Sequence, residues 1–327
     1  MKNFRIVTIL LTIAIVLAAC APAAPKVIDP VSLGFTTELN YVAIIALEKG
    51  YFTEEGLEVT ITEYSSGTKA RDGLFNGEVD FSVIGISPLV FASFDRSDFK
   101  VFGSVSTHYD LYKIVARKDS GIQNPSDLRG KRIGVSEASS FHYFLHNFAL
   151  EYGYSENDAE LVFSAAADQP AALAHGDTDA ISTREPYISE AISLLGDNYV
   201  VFSEPNLPAN TLNLVAMDAF IQEKPQVIEK VLRAMLKAEA FANEHPAEAI
   251  TIVASKLGIS EKELQLIWDN TTFSLSLDQE LILEMENIAG WAISQKLTKA
   301  DDMPNFLNFI YLDGLDAVKP EAITIIR

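Results

Sequence analysis

Two α/β lobes facing each other across a cleft are the fold class that this sequence predicts, and three observations predict it. A unit of strands and helices occurs twice in the same order, over residues 31–88 and again from residue 132. At 327 residues the chain is long enough to fill two hydrophobic cores. After the second copy the pattern turns helical, with no third copy. A period of about a hundred residues is too long for a solenoid, so the copies read as separate lobes.

In the first copy, residues 31–35 read as a strand, followed by a polar loop and a helix ending at Lys49-Gly50-Tyr51. A second strand covers 57–64. A second helix ends at Gly77-Glu78-Val79-Asp80, and 81–84 is the closing strand. In the second copy, 132–135 stands for the first strand and Glu151-Tyr152-Gly153 for the first helix end. Gly176-Asp177-Thr178-Asp179 then repeats the Gly-x-x-Asp turn ahead of 180–182 and Glu185-Pro186. Gly50 and Gly77 stand where a helix takes a left-handed C-cap. Ser87-Pro88 reads as an N-cap with proline at the first helical position.

Between the copies, the polar segment 117–121 reads as a hinge and 124–130 as a capped short helix. Residues 205–210 carry two prolines and read as the return crossing. A strand at 211–217 follows, and the remainder reads as helical. Ile228, Val231, Leu232, Met235 and Ala238 share one helical face after Pro225. Pro246 opens another helix, Ser260-x-x-Glu263 is a capping box, and Leu281, Met285, Ile288 and Ala292 mark the last long helix. These helices are expected to pack back on the first lobe. Lobe 1 would then comprise 31–118 and 211–327, and lobe 2 would comprise 119–210.

Lys2 and Arg5 precede an apolar run over 6–19, shorter than a bilayer-spanning helix, and Cys20 follows at once. Residues 1–19 therefore read as a secretory signal. Leu17-Ala18-Ala19-Cys20 resembles a bacterial lipobox, which implies cleavage before Cys20, lipid on Cys20, and a tether over 20–30. Several acyl chains would hold the protein firmly to a membrane. Cys20 is the only cysteine, so no internal disulfide forms. The net charge of −20 argues against nucleic acid as a partner.

Catalytic signatures are missing. There is no Gly-x-Ser-x-Gly elbow, phosphate loop or G-x-G-x-x-G. His142 and His146 are four residues apart on a helix, but no HExxH pattern accompanies them; neither a metal site nor a cofactor is expected. Ligands of open α/β sheets sit beyond the carboxyl ends of the strands, where helix N-termini point. That rule places Thr37, Glu38, Asn40, Tyr41, Ser65, Ser66, Thr68 and Ser87 at the cleft in the first copy. In the second copy it selects Ser139, Ser140, His142, Tyr143, Arg184 and Glu185. For each hydroxyl, simple helix capping is the competing reading. Arg184 offers a bidentate contact to an acid and Glu185 an acceptor for an N–H, or the two neutralise each other as a surface pair.

Several stretches together resemble one family: Glu48-Lys49-Gly50-Tyr51-Phe52, Glu55-Gly56-Leu57, Gly77-Glu78-Val79-Asp80-Phe81, Arg117-Lys118-Asp119-Ser120-Gly121, Asp127-Leu128-Arg129-Gly130-Lys131 and Glu185-Pro186-Tyr187. They are similar to the nitrate, sulfonate, taurine and thiamine-precursor group of ABC-transporter substrate-binding proteins. The resemblance implies a type II periplasmic-binding-protein fold with two crossings between lobes, and a monomeric, extracytoplasmic, lipid-anchored protein without catalytic activity. It would capture a small polar or anionic solute of the sulfonate, taurine or nitrate kind and deliver it to a permease with its ATPase. A pyrimidine ligand, or an enzyme or sensor on the same lobes, is the alternative. Arg184 stands where the family often has an apolar residue, which favours an acidic ligand. Expressed in a lipidating bacterium, the wild-type chain should partition with membranes and Cys20→Ser should remain soluble; equal partitioning of both, measured by fractionation, would reject the anchor.

Overall fold

The computed structural model describes residues 28–36, 40–207 and 210–326. The signal, Cys20, Thr37 and Glu38 lie outside them. Eleven strands form two sheets among the described residues: β1 (Asp29–Phe35), β2 (Leu57–Glu63), β3 (Phe81–Gly85), β4 (Phe99–His108), β5 (Lys113–Arg117), β6 (Arg132–Val135), β7 (Glu160–Phe163), β8 (Ala180–Thr183), β9 (Tyr199–Ser203), β10 (Asn210–Met217) and β11 (Thr271–Ser276). The first sheet runs β11-β4-β10-β3-β1-β2 and the second β7-β6-β8-β5-β9. Apart from β11 the two orders are equivalent. Each has three parallel strands, then an antiparallel strand that arrives from the other lobe. No described helix is long and apolar enough to cross a membrane.

The duplication holds in detail. Leu33-Gly34 pairs with Phe81-Ser82, and Ile133-Gly134 pairs with Ala180-Ile181. A Cβ on Gly34 would stand 3.0 Å from Val79 and from Ser82, and one on Gly134 would stand 3.1 Å from Ile181 and 3.4 Å from Thr178. Both glycines thus let the chain ahead of the closing strand pack against the first. The aspartate of each Gly-x-x-Asp turn then locks the pair. Asp80 Oδ2 accepts from the Ser32 backbone N–H at 2.7 Å and from its hydroxyl at 2.8 Å. Asp179 Oδ2 accepts from the Arg132 backbone N–H at 2.9 Å, and its Oδ1 accepts from the guanidinium at 2.9 Å.

In lobe 2, Ile114 and Ala116 enter the core on one face of the sheet and Val115 the core on the other, the period-two pattern of a strand buried on both sides. In lobe 1 a single core joins residues 31–105 to the C-terminal part. The helix Pro225–Glu244 turns Ile228, Val231, Leu232, Met235 and Ala238 inward, all fully buried.

Four local readings need correction. Strand β5 pairs with β8 and β9 in the second sheet, so the chain passes between the sheets over 109–112 and not at 117–121. Its apolar centre belongs between two lobe-2 helix layers, which local sequence does not reveal. Strand β1 starts at Asp29, which pairs with Leu57, so the sheet begins ahead of the expected end of the tether. The C-terminal part is not all helical, because β11 adds a strand beside β4. Only Phe273 and Leu275 point inward there, too short an alternation to show against its polar neighbours. Finally, Gly85 rather than Ser87 caps the helix Ile86–Ser93.

Asp179 is drawn up by burial, but the bonds from Arg132 outweigh that and hold its carboxyl below the ordinary 3.8. A lowered folded value means stability that is present above about pH 4 and lost as the pH falls below it. Asp179→Ala should therefore cost about 1–3 kcal/mol at neutral pH. Urea unfolding at pH 7 and pH 3 checks this, with a smaller difference between variant and wild type at pH 3.

Candidate functional site

The helices Ile86–Ser93 and Ser140–Glu151 begin near the carboxyl ends of β3 and β6, one in each lobe, and their first turns meet. Ser140 donates to the Ser87 hydroxyl across the gap at 3.1 Å. A narrow cavity lies there. Lobe 1 lines it with Ile86, Ser87, Asn210 and Glu284, and lobe 2 with Tyr112, Ser140, Tyr143, Phe144 and Asn147. Its volume, about 10 Å³, admits a water molecule and no organic solute. A solute can enter only if the lobes part.

Local sequence explains how each wall is set. Ser139 caps the helix Ser140–Glu151 by accepting from the His142 N–H at 3.3 Å, which places Ser140 in its first turn. Tyr143 and Asn147 follow on the same face, one and two turns on. Tyr112 sits on the passage between sheets, edge-on to Phe141 at 5.3 Å. Asn210 opens β10 on the return passage. The backbone of Gly85 leaves room for it, since a Cβ there would stand 3.1 Å from Asn210 Oδ1. Glu284 comes from the helix Gln279–Ser294, where Thr211 donates to its Oε2 at 3.2 Å.

Burial pushes Glu284 up to about 8, with Glu280 and Asp278 adding to the rise and Thr211 opposing it. Tyr112 is pushed well above the usual phenol range, by burial first; Arg184 acts to lower it and Glu284 to raise it. Burial likewise raises Tyr143.

A second contact between the lobes stands on the same C-terminal helix. Trp291 donates its indole N–H to Glu156 Oε1 of lobe 2 at 3.0 Å, and His146 Nδ1 lies 3.1 Å from the same oxygen. His142 Nε2 lies 3.1 Å from Oε2, a contact without hydrogen-bond alignment. Burial alone would raise Glu156. The contacts from His142, His146 and Trp291 outweigh it and bring the carboxyl down to about 2.

Of the residues that the sequence selects, Ser87, Ser140 and Tyr143 line the cavity. Ser66 and Ser139 cap helices, and Ser65 and Thr68 are exposed. Tyr41 is a core residue, stacked 5.9 Å from Trp268 and edge-on to His108. Asn40 is buried and donates to the Thr36 carbonyl oxygen. His142 faces Glu156 and Trp291 instead of the cavity. Glu185 Oε2 accepts from the Ser189 N–H at 3.1 Å, at the start of the helix Tyr187–Leu195, and Arg184 donates to the Glu185 carbonyl oxygen at 3.2 Å.

Sequence reasoning missed Tyr112, Asn147, Asn210 and Glu284. Glu284 did leave a signal: it stands three residues after Leu281 and four before Ile288, a carboxylate within the apolar stripe. Among the described residues, no group of three or more histidine, cysteine, aspartate or glutamate side chains is arranged so that it could hold a metal ion.

Comparison with known proteins adds to this geometry. The family model described as NMT1/THI5 like matches residues 41–249. A Bacillus subtilis (strain 168) protein named for binding aliphatic sulfonates is 28% identical over 271 residues, 80% of this chain and 81% of that one. The alkanesulfonate-binding protein SsuA from Xanthomonas axonopodis pv. citri, solved with MOPS bound, superposes with a TM-score of 0.73 at 19% identity, covering 89% of this chain and all of that one. The desulfurization enzyme DszB superposes with a TM-score of 0.64 at 16% identity, over 88% of this chain and 98% of that one. The fold is that of the type II periplasmic binding proteins.

Because Glu156 is lowered from 4.5 to about 2, the stability it supplies is complete above about pH 4.5 and is lost as the pH falls from there towards 2. Glu156→Gln should lower stability at pH 7 by about 2 kcal/mol and flatten the acid limb of the stability curve. Denaturant midpoints between pH 2.5 and 7 check both.

Proposed function

Because the chain belongs to the NMT1/THI5-like family, we propose that it is the extracytoplasmic solute-binding component of an ABC importer. Lipid on Cys20 would tether it, and it would hand a small polar organic solute to a membrane permease and its ATPase. One observation carries this reading: the cavity takes its lining from both lobes, with Ser140 bonded to Ser87 across it. A site divided in this way is complete only when the lobes meet. A solute bound there strengthens the closed form by as much as it prefers that form over the open one. Closure expels water and thereby strengthens every polar contact inside. A permease that recognises the closed shape then takes up loaded protein in preference to empty.

Binding without chemistry is part of the reading. A serine nucleophile needs an adjacent base, and here the two serine hydroxyls bond each other with no imidazole among the described lining residues. The likeness to DszB is one of fold alone. The relatives named for sulfonates support a small organic anion or zwitterion as the solute, a class that the charges of the cavity narrow further.

A thermal-shift screen over taurine, alkanesulfonates, nitrate, aromatic acids and aminopyrimidines tests the proposal. A true ligand at about a hundred times its dissociation constant should stabilise the protein by about 2.7 kcal/mol. It should also be recovered unchanged; a chemically altered product would replace the binding reading with catalysis.

A further inference from the structure

We propose that Glu284 and Asn210 form a subsite for a protonated amine, so that the cleft selects solutes bearing an ammonium group over amine-free anions. This deepens the solute-binding reading and rests on it. Asn210 is 6% exposed, and among the described residues its Oδ1 has no hydrogen-bond partner although it is fully buried at the cavity. Glu284 enters the same cavity one residue away in contact, through the 3.2 Å bond from Thr211 to its Oε2. Among the described residues, no lysine or arginine lines the cavity.

Two acceptors on one wall call for a ligand that donates. An ammonium carries a compact charge and three N–H donors, and it can satisfy the carboxylate and the amide oxygen together. An amine-free anion would leave Asn210 Oδ1 unpaired, which costs the desolvation of that group, and above about pH 8, where Glu284 is ionised, it would also set a second negative charge against it. The net charge of −20 also favours the arrival of a cationic group over that of an anion.

The groups around Glu284 fix the sign of its pH dependence. Tyr112 faces it from the passage into β5 and Tyr143 from the helix Ser140–Glu151, both raised by burial and neutral at physiological pH. Glu280 and Asp278, at the start of its own helix, repel its charge, and Arg184 acts on Tyr112 from lobe 2. With Glu284 pushed up to about 8, the empty cavity holds it protonated at pH 7. An aliphatic ammonium keeps its own proton to about pH 10 and displaces the one on Glu284. Affinity for amines should therefore climb as the pH rises towards 8 and level off above it, with a proton released on binding at pH 7.

Titration calorimetry of the full chain with matched pairs reads this out. Taurine is set against ethanesulfonate, and 5-aminomethyl-4-aminopyrimidine against its 5-methyl analogue, at pH 6, 7 and 8 in buffers of different ionisation enthalpy. The amine member of at least one pair should bind about tenfold or more tightly than its analogue, with proton release. Glu284→Gln should weaken it by about tenfold to a hundredfold and abolish the pH slope. Thr211→Val, a second variant that keeps the carboxyl but removes its hydrogen bond, should move the pH midpoint upward. Ethanesulfonate or nitrate bound as tightly as taurine, or an unchanged affinity and slope in Glu284→Gln, would overturn the subsite and leave the solute-binding reading standing. Binding of no compound of either class would overturn both.

Discussion

Each sheet is completed by a strand that has just left the other lobe. Strand β10 lies between β3 and β4, hydrogen-bonded on both sides, and β5 lies likewise between β8 and β9. Neither can shift without breaking two ladders, so both passages between the lobes are anchored at their ends. The residues at those ends are Tyr112, one before β5, and Asn210, the first of β10. Both line the cavity. The floor of the cleft is thus fixed by sheet pairing, while its two sides are carried by the first turns of opposed helices, one from each lobe, with Tyr143 of lobe 2 reaching into the lobe 1 core.

That division explains what the sequence revealed. The repeat was legible because each copy solves one local problem with local residues: a glycine admits the close approach of the turn, and an aspartate ties the turn to the first strand. Capping boxes and buried helix faces were legible for the same reason. The cavity was legible only where a helix N-terminus made it, at Ser87, Ser140 and Tyr143. Ser66 and Ser139 share that signature and serve as caps, because one hydroxyl beside free N–H groups fits either task. Asn210 and Glu284 reach the cavity through non-local pairing and packing. Nothing beside them in sequence announces it, apart from the interruption of an apolar stripe at 284.

The helix Gln279–Ser294 carries two of the lobe 1 contributions to the interface. Glu284 and Trp291 are seven residues apart, two turns along one face. The first reaches the cavity and the second reaches Glu156 of the other lobe. A movement of lobe 2 that exposes the cavity also strains the indole contact, since one rigid helix holds both. The resting energy of the lobe contact and the affinity of the cavity are therefore set through the same element.

Burial acts on two glutamates at this interface with opposite outcomes. It raises both, yet Glu156 ends at about 2 and Glu284 at about 8. The difference lies in the partners. Glu156 has two imidazoles and an indole N–H within 3.1 Å, and its charged form is the stable one. Glu284 has one threonine hydroxyl and two like charges nearby, so little among the described residues offsets its charge. A carboxylate whose partners are complete holds structure together. One left short of partners at the edge of a cavity holds an unmet demand for a donor, and a ligand that supplies a positive N–H group meets it.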